Sequence, residues 1–315
     1  MSSKNLKRKT SDKSNDQDTD VDASDSESKK TIKGKAKPLK RAKSTKNELE
    51  SSASFSNPPQ PTNKTLPDII NFPPKESGTL RVACWNVSGL AATAKKGYGK
   101  HVLYNSHFTC DWTIFQAGTS IFSKLPPISI EETIPNFPDA DDVKGRIITL
   151  EFEKYYIVGA YVVNAGQNLK TLDARKVWDA HFIPYIRSLD KKKPVILGGD
   201  LNVAPTAMDL AHPQRNWNKS AGYTEVETTA FKNLLEPPEG VDSGKFVDIW
   251  RNLHAEARQF TYFSYRFSCR EKSLGWRVDM FVVSERIAGK VKQCEIRDDI
   301  YGASDHLPVV LDIDV

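Results

Sequence analysis

Beyond about residue 76 the chain alternates short apolar runs with polar punctuation. Leu80–Trp85, Arg146–Phe152, Tyr156–Val163, Val195–Leu197, Val278–Val283 and Leu307–Ile313 are set off by Gly, Asn and Asp, a pattern that predicts strands. Between them, Leu172–Leu189 sets Val177, Trp178, Phe182, Ile186 and Leu189 at near-helical spacing, and Glu225–Leu235 closes on Phe231, Leu234 and Leu235. Both segments predict helices that lay an apolar face on a sheet. Pro184 lacks the amide proton its turn needs, so the first helix should kink there. Strands mixed with helices imply an α/β or α+β architecture.

Residues 1–75 differ in character. They are rich in Lys, Ser, Asp and Pro and poor in aliphatic and aromatic side chains, too few to offset the entropy of ordering. A disordered tail is expected there, ahead of one folded domain over residues 76–315. Two basic clusters, Lys7-Arg8-Lys9 and the run from Lys35 to Lys43, flank an acidic, Ser-rich stretch from Asp16 to Glu27. Such clusters suit nuclear import or phosphate contact, against the plainer reading of a solubilising tail. Import is favoured, which places the protein in the nucleus. Pro-rich segments at Asn57–Pro61 and Phe72–Lys75 lead into the domain.

Composition narrows the classes. Over 315 residues, 45 Lys+Arg against 40 Asp+Glu leave a formal charge of +5, so any nucleic-acid contact must be local. Cys84, Cys110, Cys269 and Cys294 stand far apart, with no CxxC pair and no spacing for structural zinc; they read as reduced, intracellular thiols. No run approaches the roughly 18 apolar residues of a membrane span, and no secretory core opens the chain. A soluble protein with no membrane partner is expected.

The chemistry lies where polar residues adjoin the apolar runs. Asn86 follows the first run, Asn164 the third, and Asp200 and Asn202 follow Val195–Leu197 in the segment Gly198-Gly199-Asp200-Leu201-Asn202. Asp279 precedes Met280–Val283, while Asp305 and His306 precede Leu307–Leu311. Each alone has a structural reading, since Asp and Asn bond nearby backbone at turns. Gathered at one edge, they form the set that metal-assisted phosphodiester hydrolysis needs. Carboxylates hold a hard cation and orient water, and amides and an imidazole steady the developing phosphate charge.

At these residues the chain resembles the exonuclease III / AP endonuclease family, within the larger group that includes DNase I and inositol phosphatases. The matching segments are Cys84-Trp85-Asn86-Val87, Ala160 to Gly166, Gly199 to Ala204, Gly275 to Asp279 and Ser304-Asp305-His306, with Asn218 to Thr224 as a further one. The resemblance implies a four-layer α/β sandwich of two mixed β-sheets flanked by helices. It implies Mg²⁺-dependent incision, with Mn²⁺ as a substitute ion, on the 5′ side of an abasic site in double-stranded DNA, by a monomer. Asp200 then resembles the carboxylate that orients or deprotonates water, and Asn202 the neighbouring amide. His306, paired with Asp279, resembles the imidazole on the scissile phosphate. Tyr161 and Asn164 resemble phosphate-side donors. Asp305 resembles a metal carboxylate, with Asn86, Asp200 and Asn202 as further oxygen donors at the metal. Tyr262, Trp276 and Val278 match the walls of the pocket for the flipped-out sugar, although Trp276 serves equally well as core.

Two departures bear on activity. The first motif of the family continues to an aspartate, where this chain has Ser88. The Gln-Glu-Thr segment whose glutamate is the principal metal ligand has no counterpart after Leu90, and Gln116 to Lys124 resembles a later part of the family. The stretch looks shortened by a helix, a strand and that glutamate, through divergence, splicing or a faulty gene model. On the DNA face, Gln167 and Arg266 replace an arginine and a methionine of some relatives. Arg175, Lys176, Arg215, Lys219, Arg266, Arg270, Lys272 and Arg277 either track phosphates or form an ordinary charged surface. Three readings stand: an active AP endonuclease, a DNA-binding pseudoenzyme of the same fold, and a phosphatase of another phosphoester.

Overall fold

The computed structural model describes residues 71–89, 112–116, 118–300, 302 and 304–314. Residues 1–70, with both basic clusters, and Leu90–Asp111 lie outside the described residues, and so does the expectation of a disordered tail. Where description begins, the lead-in is held down: the Arg297 guanidinium lies over the Phe72 ring at 4.7 Å and Arg81 donates to the Pro73 carbonyl.

The predicted strands form, with small changes of boundary. β1 (Thr79–Cys84) is followed by β2 (Trp112–Gln116), β3 (Thr119–Ser123), β4 (Ser129–Glu131) and the short α1 (Ala140–Val143). β5 (Ile147–Glu151), β6 (Tyr156–Tyr161), α2 (Leu172–Asp190) and β7 (Val195–Asp200) come next. Then follow α3 (Pro213–Asn216), α4 (Glu225–Leu235), β8 (Phe246–Asp248), α5 (Ile249–Leu253), β9 (Asp279–Ser284), α6 (Glu285–Ala288), β10 (Val291–Ile296) and β11 (Val309–Asp314).

The larger sheet runs β4-β5-β6-β7-β9-β8 and is mixed, with β6 and β7 parallel. The smaller, β1-β11-β10, is antiparallel throughout, and β2 and β3 pair separately. Of the two mixed sheets expected, only the larger is therefore mixed among the described residues. β2 stands within the stretch that reads as shortened. One face of the larger sheet packs on α2 and α4 through Val158, Leu197, Met280, Trp178, Phe182 and Phe231. The other face meets the smaller sheet through Ile196, Phe281, Val309 and Leu311, with Ile249 and Trp250 of α5 at the side. No helix among the described residues is long and apolar enough to cross a membrane.

α2 continues through Pro184, because the face carrying Trp178, Phe182, Tyr185, Ile186 and Leu189 is buried and outweighs one lost backbone bond. One helix expectation is corrected. Val177, expected on that face, is 42% exposed; it precedes Trp178 by one residue, about 100° around the helix. α4 begins with a capping box between Thr224 and Glu227, which satisfies the free amides of its first turn.

Candidate active site

Strand register assembles the site. Tyr161 at the end of β6 lies beside Asp200 at the end of β7, and Asp200 lies opposite Asp279 at the start of β9. Three residues far apart in sequence thus form one row across the sheet edge. Gly198 and Gly199, a glycine pair that by itself reads as a turn, lie inside β7 instead. They are needed for close packing: a Cβ at Gly198 would stand 2.4 Å from the Phe281 ring, and one at Gly199, where φ is +141°, would stand 2.1 Å from the Ala160 carbonyl oxygen. Side chains larger than hydrogen would push Asp200 out of register.

His306 joins the row from the β10–β11 connection. Its Nδ1 lies 2.7 Å from Asp279 Oδ2, and its ring faces Tyr262 at 4.8 Å between centroids. Burial alone would push the imidazolium down, but the Asp279 carboxylate, with Asp200 and Asp305 behind it, raises the pKa to about 9. Asp279 Oδ1 is buried with no hydrogen-bond partner, so little besides His306 compensates that charge. Asp200 moves the opposite way from an ordinary carboxylate: burial, then the Asp279 charge, raise it to about 6, against the pull of His306 and bonds from Asn202 and Asn86. Around neutral pH a carboxylate at Asp200 therefore stands beside an imidazolium at His306.

Asn86 completes this centre. Its Nδ2 donates to Asp200 Oδ2 at 3.0 Å and also lies 3.4 Å from His306 Nε2. With the ring protonated, that second contact sets donor against donor, so the His306 Nε2–H remains available to an anionic oxygen. On the far side, Asn164 Nδ2 donates to Asn202 Oδ1 at 2.8 Å, and Asn202 Nδ2 donates to the Val162 carbonyl. The Asn202 amide is thus tied into the scaffold, while its backbone N–H holds Asp200 Oδ1. Tyr161 is 40% exposed, with Arg146 over its ring at 5.2 Å.

Asp305 stands apart from this group. The Ser88 hydroxyl donates to Asp305 Oδ1 and contacts Ser304 Oγ, while the Ser88 backbone N–H donates to Asn86 Oδ1. Trp276 is part-buried, bridged to Leu210 and Tyr262 and packed with Ala204 and Tyr223. Val278 is buried beside Asp279.

Three features were not legible in sequence. Thr261 is fully buried, and its Oγ1 accepts the backbone N–H groups of Val278 and Asp279 at 3.0 Å each. Its carbonyl accepts from Leu307 N, so one threonine links the start of β9, which carries Asp279, to the β10–β11 connection, which carries His306. Ser304 Oγ ties the Asn86 carbonyl to the His306 amide. Arg175 donates to the carbonyls of Val163 and Asn202 and, with Arg270 and Arg277, is at most 3% exposed. Both alternatives for these three arginines, phosphate tracking and ordinary charged surface, are therefore corrected. No periodicity marks any of these residues; only Ser304 and Arg277 stand inside matching motifs.

Asp200, Asp279 and His306 offer ligand atoms within 4.8 Å of one another, but the imidazolium is a poor partner for a cation. Oxygen donors suited to a hard cation converge instead at Asp305 and Ser88.

This geometry agrees with what the chain resembles. It belongs to the Endonuclease/Exonuclease/phosphatase family, which it matches over residues 74–306. Within that family it is a member of the exonuclease III / AP endonuclease group. It is 33% identical over 278 residues to the DNA-(apurinic or apyrimidinic site) endonuclease of Dictyostelium discoideum, covering 79% of this chain and 74% of that protein. It is 38% identical over 200 residues to an exodeoxyribonuclease of Bacillus subtilis, covering 63% and 75% respectively. Against Recombination repair protein 1 of Drosophila melanogaster, 34% identical, the match covers 78% of this chain but spans only 38% of that protein. The fold is that of an AP endonuclease from Archaeoglobus fulgidus, with TM-score 0.62, 22% identity and coverage of 75% of this chain and all of that one.

Proposed function

We propose that the chain is an endonuclease that hydrolyses the phosphodiester on the 5′ side of an abasic site in double-stranded DNA. The observation that carries this is the meeting of three groups: the Asp200 carboxylate, the Asn86 amide and the His306 imidazole, whose charged form the neighbouring Asp279 favours. The scissile phosphate is placed against His306 and Tyr161, where an N–H and a phenol donate to oxygens whose charge grows in the transition state. Asp200, raised to about 6, takes the proton of the attacking water, since a base works best near the ambient pH. Asp279 holds His306 charged and oriented. Asn164 steadies the phosphate side, Asn202 holds Asp200 through its backbone N–H, and Tyr262, Trp276 and Val278 wall the sugar.

Mg²⁺, or Mn²⁺ in its place, would be held by Asp305 and the Ser88 hydroxyl beside Asn86, with water completing the shell. When bound, it supplies positive charge against a phosphoryl oxygen. One carboxylate makes this a weak site. That observation also favours a second reading, a pseudoenzyme that binds abasic DNA without cutting it. Incubating the purified full chain with a labelled duplex containing one abasic site, with and without Mg²⁺, decides between the two. Cleavage 5′ of the lesion supports the first reading, selective binding without cleavage the second, and neither of these sinks both.

Ser88→Asp is expected to lower the Mg²⁺ concentration for half-maximal nicking by about tenfold, because a second carboxylate strengthens attraction for the ion. In EDTA the same variant should melt lower than the parent, the two carboxylates repelling each other, and Mg²⁺ should reverse the deficit. An unchanged Mg²⁺ requirement would place the cation elsewhere.

The protein is read as a nuclear monomer, with the basic clusters of residues 1–75 carrying import. A fluorescent fusion lacking those residues should lose nuclear accumulation in cells; equal accumulation would remove the import role.

A further inference from the structure

Trp217, just after α3, keeps 41% of its surface exposed and meets Tyr223 edge-on, with centroids 5.0 Å apart. Tyr223 is buried against Ala204 and Leu210, and Trp276 packs on the same cluster. Packed aromatic rings therefore lead from Trp276 through the buried Tyr223 to an open indole.

The loop that presents this indole is firmly held. Asn218, at φ +54°, turns the chain, and its Oδ1 accepts from Glu225 N while its own N–H donates to the Tyr223 carbonyl. The buried Glu227 carboxylate accepts from Gly222 N, Thr224 N and Thr224 Oγ1. Gly222, at φ +85°, lets the loop lie directly against the Asn202 carbonyl and the Trp276 ring; a Cβ there would stand 3.4 Å from the former and 3.6 Å from the latter. Arg215 and Lys219 stand two residues to either side of Trp217 in the chain, and both are exposed. An exposed aromatic ring on a firmly held loop, with two exposed cations close by in the chain and ring packing that leads to Trp276, has the chemistry of a base-stacking platform with phosphate contacts beside it.

We propose that Trp217 stacks on an unpaired nucleobase of the DNA bound in the site. The inference rests on the phosphodiesterase reading for the identity of the nucleic acid, and its test keeps the two separable. Trp217→Ala and Trp217→Phe would be made in the full chain. Fluorescence anisotropy would measure affinity for a labelled abasic duplex and for a labelled single-stranded oligonucleotide, at one salt concentration. Incision would be followed at saturating duplex, and melting temperature recorded.

Trp217→Ala should lose about 5- to 100-fold in affinity for both probes, with kcat unchanged. Trp217→Phe, which keeps a π-face, should stay within about threefold of the parent. The inference is overturned if Trp217→Ala binds both probes within twofold of the parent, as it would were the indole reserved for a protein partner. It is also overturned if Trp217→Phe is as weak as Trp217→Ala, which would mark the loss as one of packing. A parent that fails to incise, yet loses oligonucleotide affinity on Trp217→Ala, removes the phosphodiesterase reading and leaves the platform standing. A parent that incises and is indifferent to Trp217 does the reverse.

Discussion

Asp200→Asn and His306→Asn should each reduce incision of abasic duplex by about 100- to 1,000-fold or more, while leaving affinity for that duplex nearly intact. The two variants should differ in stability, and the difference follows from the site. Asp200 is a buried carboxylate whose charged form is disfavoured by burial and by Asp279. Replacing it with a neutral amide removes that cost, so the melting temperature should hold or rise. His306 compensates the buried Asp279 at 2.7 Å. His306→Asn leaves that carboxylate without its cation and should lower the melting temperature by several degrees. Single-turnover nicking assays and circular-dichroism melts check both halves. If both variants nick at the parental rate, the site is elsewhere in the molecule; if Asp200→Asn melts well below the parent, its carboxylate is structural.

The second large effect lies just outside the site. Arg277 is entirely buried between Trp276 and Val278, with Nε donating to Asp209 Oδ1 at 2.7 Å and both terminal nitrogens donating to Asp248. Arg251 also reaches Asp209. Asp209 caps the turn after the Asp200–Asn202 loop, and Asp248 caps α5, so one guanidinium fastens three segments behind the β9 row. Its charged form is favoured despite burial, which alone would lower its pKa, because both aspartates raise it. Arg277→Met would leave Asp248 without a cation and Asp209 with Arg251 alone. Breaking a buried pair from one side costs about 3–5 kcal/mol, which in a domain of this size means a fall in melting temperature of roughly 10 °C. Arg277→Lys, with a single point charge in place of a fork, should recover only part of it. A melt within about 2 °C of the parent for Arg277→Met would show that the clamp contributes little.

Both expectations draw on facts of different origin. The kinds of residue, and their place at the ends of apolar runs, were legible from sequence, because a strand announces itself through neighbours and the polar residues at several strand ends make one chemical set where each alone has a structural reading. Hence Asn86, Asp200, Asp279 and His306 could be named, and α2 and α4 located. What failed involved partners far along the chain. Arg277 reads as a surface cation until Asp209 and Asp248, 68 and 29 residues away, are seen to enclose it. Gly198 and Gly199 read as a turn until Phe281 and the Ala160 carbonyl close on them. Thr261 carries no pattern at all, since its role is to accept amides from a strand 17 and 18 residues away.

Periodicity senses contacts within one element, about four residues in reach, so the sequence alone determined the elements, the chemical inventory and the family. Register between strands, the donor–donor meeting of Asn86 and His306, and the burial that raises Asp200 while Asp279 raises His306 were decided only by tertiary structure. Each depends on which distant groups share a low-dielectric volume, and a linear pattern does not encode that.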